Sequence, residues 1–118
     1  MGKRHKTVLA VSPDRQLASQ REAALTKAGF HVVSVHTDAT ARYEIHFGRC
    51  GVLLLCHKLD RRAREALARD FHRLCPEPFI VSVLAHERDD YPAQTHACVL
   101  HSQDLSELVN TLTQQLAA

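Results

Sequence analysis

The sequence predicts an α/β fold, a doubly wound five-stranded parallel sheet with helices on both faces. Three observations carry this. Short apolar runs alternate along the whole chain with longer stretches whose apolar residues recur at helical spacing. The middle run, Val52-Leu53-Leu54-Leu55-Cys56, is apolar on both faces, as a central strand covered by helices on either side must be. Glycine and proline punctuate the junctions, at Pro13, Gly29, Gly48, Gly51, Pro76 and Pro78.

Taken in order, Thr7 to Val11 is a short apolar strand. Ser12 as N-cap and Pro13 at the first helical position open a helix, because the missing N–H of proline costs nothing there. Leu17, Ala24, Leu25 and Ala28 give this helix an apolar face, and Gly29 can take the left-handed conformation that ends it. Phe30 to Val35 is a second strand. Thr37 or Asp38 caps a second helix carrying Ala41, Ile45 and Phe47, with Gly48 and Gly51 at its exit. After the central strand, a third helix runs from about Asp60 to Leu74 with Ala63, Ala66, Leu67, Phe71 and Leu74 at helical spacing.

Pro76 and Pro78 close that helix, and Phe79 to Leu84 forms the fourth strand. The stretch from His86 to Ala97 contains Asp89-Asp90, Tyr91 and Pro92. Proline removes a helical hydrogen bond and crowds the preceding turn, so one short turn or an irregular loop is expected instead of a full helix. Cys98 to Leu100 is the fifth strand. Asp104 and Glu107 form a capping box for the last helix, whose face is Leu105, Leu108, Val109, Leu112 and Leu116. Strands alternating with helices in this way demand right-handed crossovers.

A chain of 118 residues makes one domain, 1–118, with a single real core over about 6–116. Apolar residues at 45% and charged residues at 24% describe an ordinary folded protein and exclude disorder. No apolar run approaches the ~20 residues that span a bilayer, and the basic start Lys3-Arg4-His5-Lys6 precedes too short an apolar stretch for a signal peptide. A cytoplasmic protein without a membrane partner is expected. A net charge of +2 gives no global case for nucleic acid. Cysteines at 50, 56, 75 and 98 lack C-x-x-C spacing and read as reduced, buried thiols.

The runs Thr7-Val8-Leu9-Ala10-Val11, Ala28-Gly29-Phe30-His31-Val32-Val33 and Val52-Leu53-Leu54-Leu55-Cys56 carry a resemblance. So do Phe79-Ile80-Val81-Ser82-Val83-Leu84-Ala85 and Val99-Leu100-His101-Ser102 followed by Asp104. From Lys6 to about Leu116 the chain resembles the receiver domain of bacterial two-component response regulators. That family has the flavodoxin-like fold of the chemotaxis receivers, with strand order 2-1-3-4-5.

The resemblance implies a particular site and, at once, its degeneracy. Receivers hold Mg²⁺ between two acidic residues after strand one and a phospho-accepting aspartate at the end of strand three. A lysine after strand five pairs with the phosphate, and a hydroxyl at the end of strand four senses it. Carried over, the acidic pair falls on Ser12 and Pro13, with Asp14 adjacent, and the acceptor on Cys56. The hydroxyl position falls on Val83 with Ser82 beside it, the lysine on His101, and the proline after it on Ser102. The aromatic switch residue falls on Cys98. One carboxylate and a hydroxyl do not make an octahedral oxygen site, so the Mg²⁺ site is predicted lost and no cofactor is expected. Without metal or lysine, nothing stabilises charge developing on a phosphoryl group at Cys56. The favoured reading is a packed, inert strand residue.

Other chemistry competes with this. Cys56, His57, His86 and His101 all fall near the carboxyl ends of strands, where open α/β sheets bind ligands, and are suitable in type for zinc. Their spacing matches no compact metal motif, and solvated histidines are the commoner case. Cys50 and Cys75 precede strands three and four at one sheet edge and could pair in a redox device, though unrelated thiols are the better reading. In the third helix, Arg61, Arg62, Arg64, Arg69 and Arg73 flank the apolar stripe. They read as a solvated face balanced by Glu65 and Asp70, or as a docking surface for an acidic partner.

The expectation that emerges is a stand-alone, degenerate receiver-like domain of phosphorelay signalling that acts through protein–protein contact and is not an enzyme. Its partner is a signalling protein or a second copy of the chain. The candidate contact residues are Tyr91, Leu105, Leu108 and Leu112. A metal- or redox-responsive sensor using the strand-end residues is the alternative.

Overall fold

The computed structural model describes residues 7–102 and 105–116, the side chain of Leu116 excepted. Its elements run β1 (Thr7–Val11), α1 (Arg15–Lys27), β2 (His31–Val35), α2 (Asp38–Phe47), β3 (Val52–Leu55), α3 (Arg61–Leu74), β4 (Phe79–Leu84), β5 (Ala97–Leu100) and α4 (Leu105–Leu116). The five strands form one sheet in the order β2-β1-β3-β4-β5, and every pairing is parallel. Each strand therefore feeds a crossover, and the reversal of order beside β1 opens a crevice at the carboxyl edge of the sheet.

Strand alternation divides the core into two layers. Val8, Ala10, Val52, Leu54, Val81, Val83 and Val99 face α1 and α4, which contribute Leu25, Leu108 and Leu112. Leu9, Val11, Leu53, Leu55 and Ile80 face α2 and α3, which contribute Ala41, Ile45, Leu67, Ala68 and Phe71. Phe71 is the largest fully buried side chain, and its removal from water is worth roughly 2–3 kcal/mol.

The helix starts show where sequence and structure part. At α1 the N-cap is Asp14, not Ser12, and Pro13 precedes the helix. The Asp14 carboxylate accepts the N–H groups of Gln16 and Leu17, at 3.0 and 3.1 Å. A carboxylate also suits the positive end of the helix dipole better than a hydroxyl does. Ser12 instead braces the turn: its Oγ accepts the Asp14 N–H at 3.1 Å and donates to the Asp14 carbonyl at 3.0 Å. Thr37 caps α2 in a reciprocal box with Thr40, and Asp60 caps α3 through the Ala63 N–H. Gly29 and Gly48 take positive φ at the exits of α1 and α2. The capping box expected at Asp104 lies outside the described residues.

Three helix faces differ from their expected composition. On α1, Ala28 is exposed, and Ala18 and Arg21 are buried beside Leu25. On α2, Phe47 is exposed and stacks on Tyr43 with ring centroids 6.1 Å apart, while Arg49 lies over its ring. Leu74 at the end of α3 is also exposed. All three sit at helix ends or on a rotated stripe, where helical spacing fixes a face only approximately.

The stretch from β4 to β5 is an irregular loop without a helix. Asp89 holds its start, its carboxylate accepting the N–H groups of Ala85 and His86 at 3.1 and 3.0 Å. Buried Pro92 and the bond from Thr95 N–H to the Pro92 carbonyl shape the return. His96 extends the β4–β5 pairing: its N–H donates to the Ile80 carbonyl, and its ring Nδ1 accepts the Ile80 N–H at 2.9 Å.

Candidate functional site

The carboxyl edge of the sheet gathers the loops after β1, β3 and β5. Cys56 follows β3 directly and is fully buried, its N–H bonded to the Val11 carbonyl at 3.1 Å. That bond continues the β1–β3 ladder one residue past the strand, which is why the side chain turns inward. The Cys56 sulfur lies 3.5 Å from the Lys58 N–H and 3.9 Å from His57 Nδ1.

Asp14 lies in the loop after β1, and both its carboxylate oxygens are engaged. Oδ1 caps α1, and Oδ2 meets the Lys58 ammonium at 2.8 Å. The hydrogen bond from Lys58, helped by the Leu17 N–H, holds the Asp14 pKa down at about 2, below its ordinary 3.8. Lys58 is correspondingly raised by the same hydrogen bond. Ser12 is buried, and its carbonyl is 2.9 Å from His36 Nδ1.

His57 and His101 come together as stacked rings with centroids 4.2 Å apart. Burial, then the neighbouring His101, Arg21 and Lys58 charges, push the His57 pKa below 6.5. His86 is exposed on the far side of the Asp89 turn. Among the described residues no three His, Cys, Asp or Glu side chains are grouped to hold a metal ion. Of Cys56, His57, His86 and His101, weighed as zinc ligands, the structure stacks His57 on His101 and leaves His86 exposed.

Within β4, Ser82 is fully buried and its hydroxyl is 2.8 Å from that of Thr95 in the crossover loop. Val83 points to the opposite face, into the layer with α4. Ser102 and Cys98 are exposed. Partial desolvation beside the sheet pushes the Cys98 thiol pKa up. Cys50 and Cys75 are both thiols, with the Cys75 sulfur 3.8 Å from the Cys50 carbonyl oxygen.

The expected contact residues divide. Tyr91 and Leu105 are exposed at 50% and 37%, but Leu108 and Leu112 are buried in the core. They are corrected from contact to core: α4 turns them onto the sheet, where they pack with Val83 and Val99. Two of the five α3 arginines are paired among the described residues, and Arg64 Nε is buried with no hydrogen-bond partner. Arg61 pairs with Glu65 and Asp90, and Arg73 with Asp70.

Sequence reasoning passed over two residues here. Lys58, two places after the acceptor position, reaches the carboxylate of Asp14 across 44 residues of chain. Arg21 is buried under the edge, and its signal was legible: Leu17, Arg21 and Leu25 share one face of α1, so a charge sits in the apolar stripe.

The fold is that of response-regulator receiver domains. A CheY-like receiver domain from Methanospirillum hungatei JF-1 superposes with a TM-score of 0.81 at 19% identity, over 96% of this chain and 95% of that one. A receiver protein from Sinorhizobium medicae gives 0.79 at 21% identity, over 95% and 94%. The response regulator TrrA from Thermotoga maritima, solved in complex with Mg(2+)-BeF, gives 0.80 at 16% identity, over 94% and 98%. No protein-family model matches the chain. No curated protein sequence matches it either.

Proposed function

We propose that this chain is a receiver-like domain of two-component, phosphorelay signal transduction in which Mg²⁺-dependent aspartyl phosphorylation has been lost. The observation that carries the reading is the full burial of Cys56 at the acceptor position, with both carboxylate oxygens of Asp14 already bonded. Magnesium takes near-octahedral oxygen ligands and is held by carboxylates. The donors here are a sulfur, a hydroxyl bonded into its own turn, and a carboxylate neutralised by Lys58, a set that does not fit the ion. The Lys58 ammonium stands beside the carboxylate in the way a cation would, so the local charge is balanced without metal.

With no phosphoryl chemistry, the domain works by binding. Its setting is the cytoplasm, and its partner is a protein of a signalling pathway. Among the described residues no helix is long and apolar enough to cross a membrane. Tyr91 and Leu105 remain as exposed candidates from the sequence, and the stacked pair Tyr43 and Phe47 on α2 adds an exposed aromatic patch. Exposed aromatic rings of this kind anchor protein interfaces.

The test is an amide NMR spectrum with and without Mg²⁺ and beryllofluoride, the phosphoryl mimic. No localised change is expected. Saturable shifts confined to Ser12, Asp14, Cys56 and His101 would show a working phosphoryl site and overturn the reading.

A further inference from the structure

Under the carboxyl edge, on the α1 and α4 side of the sheet, lies a cavity of about 450 Å³. Leu17, Val99, Leu105 and Leu108 supply apolar wall, and Arg21 and His101 supply polar groups. This volume is within the ~300–1,000 Å³ typical of small-molecule sites.

Arg21 is the anomaly. Its side chain is 5% exposed, yet it makes no hydrogen bond or ion pair with any other residue among those described. Holding a guanidinium so far out of water with no anion among the described residues is costly in a protein interior. Its surroundings make matters worse. Asp14 is paired with Lys58, so its carboxylate is not free to neutralise Arg21. Among the described residues, Arg21 is thus left as an unbalanced cation beside a cavity that is otherwise mainly apolar.

We propose that this cavity binds a small amphipathic carboxylate, with its carboxylate on Arg21 and its apolar body against Leu17, Val99, Leu105 and Leu108. The planar guanidinium fork matches a carboxylate through two parallel hydrogen bonds. A phosphate has more oxygens and more charge to satisfy, and the cavity offers few donors beyond Arg21, His101 and Gln20. An apolar tail gains by leaving water for the wall. The site needs nothing from Cys56 or Asp14, so it stands whether or not phosphoryl chemistry survives at the strand edge.

The test uses the full chain and sodium octanoate as probe, followed by amide NMR and thermal unfolding, with 1-octanol and inorganic phosphate in parallel. Octanoate is expected to give saturable shifts at Leu17, Arg21, Val99 and Leu105 and to raise the unfolding temperature. Octanol, lacking the charge, is expected to bind about ten-fold more weakly or worse. The variant Arg21→Met keeps the length of the side chain without its charge. It is expected to be more heat-stable than the wild type alone, and no longer to respond to octanoate. Absence of saturable shifts with octanoate would overturn the site. So would equal binding of octanol, the same shifts from phosphate alone, or unchanged octanoate binding by Arg21→Met. Should that variant fail to fold, the comparison of octanoate with octanol on the wild type decides.

Discussion

The Lys58 ammonium and the Asp14 carboxylate meet at 2.8 Å across the sheet edge, tying the segment after β3 to the first turn of α1. The contact makes an internal ion pair between two segments that are far apart in the chain.

That pair predicts an acid titration. Asp14 has its folded-state pKa lowered to about 2 from 3.8, so its contribution to stability is complete above 3.8 and is lost as pH falls toward 2. In Lys58→Met the Asp14 midpoint should rise toward 3.8, stopping short because Leu17 and Gln16 still donate to the carboxylate. Carboxyl-carbon NMR through an acid titration reads this directly. An unchanged midpoint in the variant would mean that the ion pair does not form.

His57 supplies a second titration, of opposite chemistry. Burial and the charges of His101, Arg21 and Lys58 lower its pKa below 6.5, so protonation favours the unfolded chain. Its contribution to stability is therefore complete above 6.5 and declines as pH falls below that value. Replacing His101 with Ala removes the stacked partner at 4.2 Å, and the His57 midpoint should move up. Imidazole carbon–proton correlation spectra would follow both rings, and a His57 midpoint at or above 6.5 in the wild type contradicts the burial argument.

His96 is predicted to be an edge fastener for β5. Its Nδ1 must be unprotonated to accept the Ile80 N–H at 2.9 Å, and burial, with His72 nearby, keeps its pKa below 6.5. His96→Ala leaves that N–H without an acceptor and should cost about 1–3 kcal/mol. His96→Asn, which places an amide oxygen near the same spot, should recover part of it. Urea unfolding of the two variants checks the claim, and equal loss in both would point to packing in place of the hydrogen bond.

The thiols should separate by accessibility. Under native conditions an alkylating reagent is expected to reach Cys98 first, since it is exposed, whereas Cys50 and Cys56 are buried. The raised Cys98 pKa leaves less thiolate near neutral pH, so labelling should be slow there and climb with pH. Peptide mass spectrometry over a time course gives the order. Early labelling of Cys56 would mean that the acceptor position opens readily, against the packing seen here.

The irregular crossover was legible in Pro92, because a ring without an N–H breaks a helix when it falls in the interior. The helix starts were legible to within two residues: Thr37, one of two candidates, caps α2, α3 starts beside Asp60, and Asp14 took the role expected of Ser12. Position along the chain locates a helix start, but which side chain reaches the free N–H groups depends on the turn that precedes it. Leu108 and Leu112 show a similar limit. Their spacing marks an apolar face, and only the sheet beneath decides that the face is core and not contact.

The sequence by itself determined the alternation of strands and helices, the doubly apolar central strand, and the absence of an aspartate at its end, because these are properties of short windows and of residue identity. The tertiary structure alone decided that Lys58 lands on Asp14, that His57 and His101 stack, and that Arg21 is buried beside a cavity with no anion among the described residues. Those relationships join segments far apart in the chain. They depend on the strand order that brings β1, β3 and β5 to one edge, and on the packing of α1 and α4 across it. Local spacing specifies which face a side chain takes, while charge balance is set by whatever the fold brings within a few ångströms.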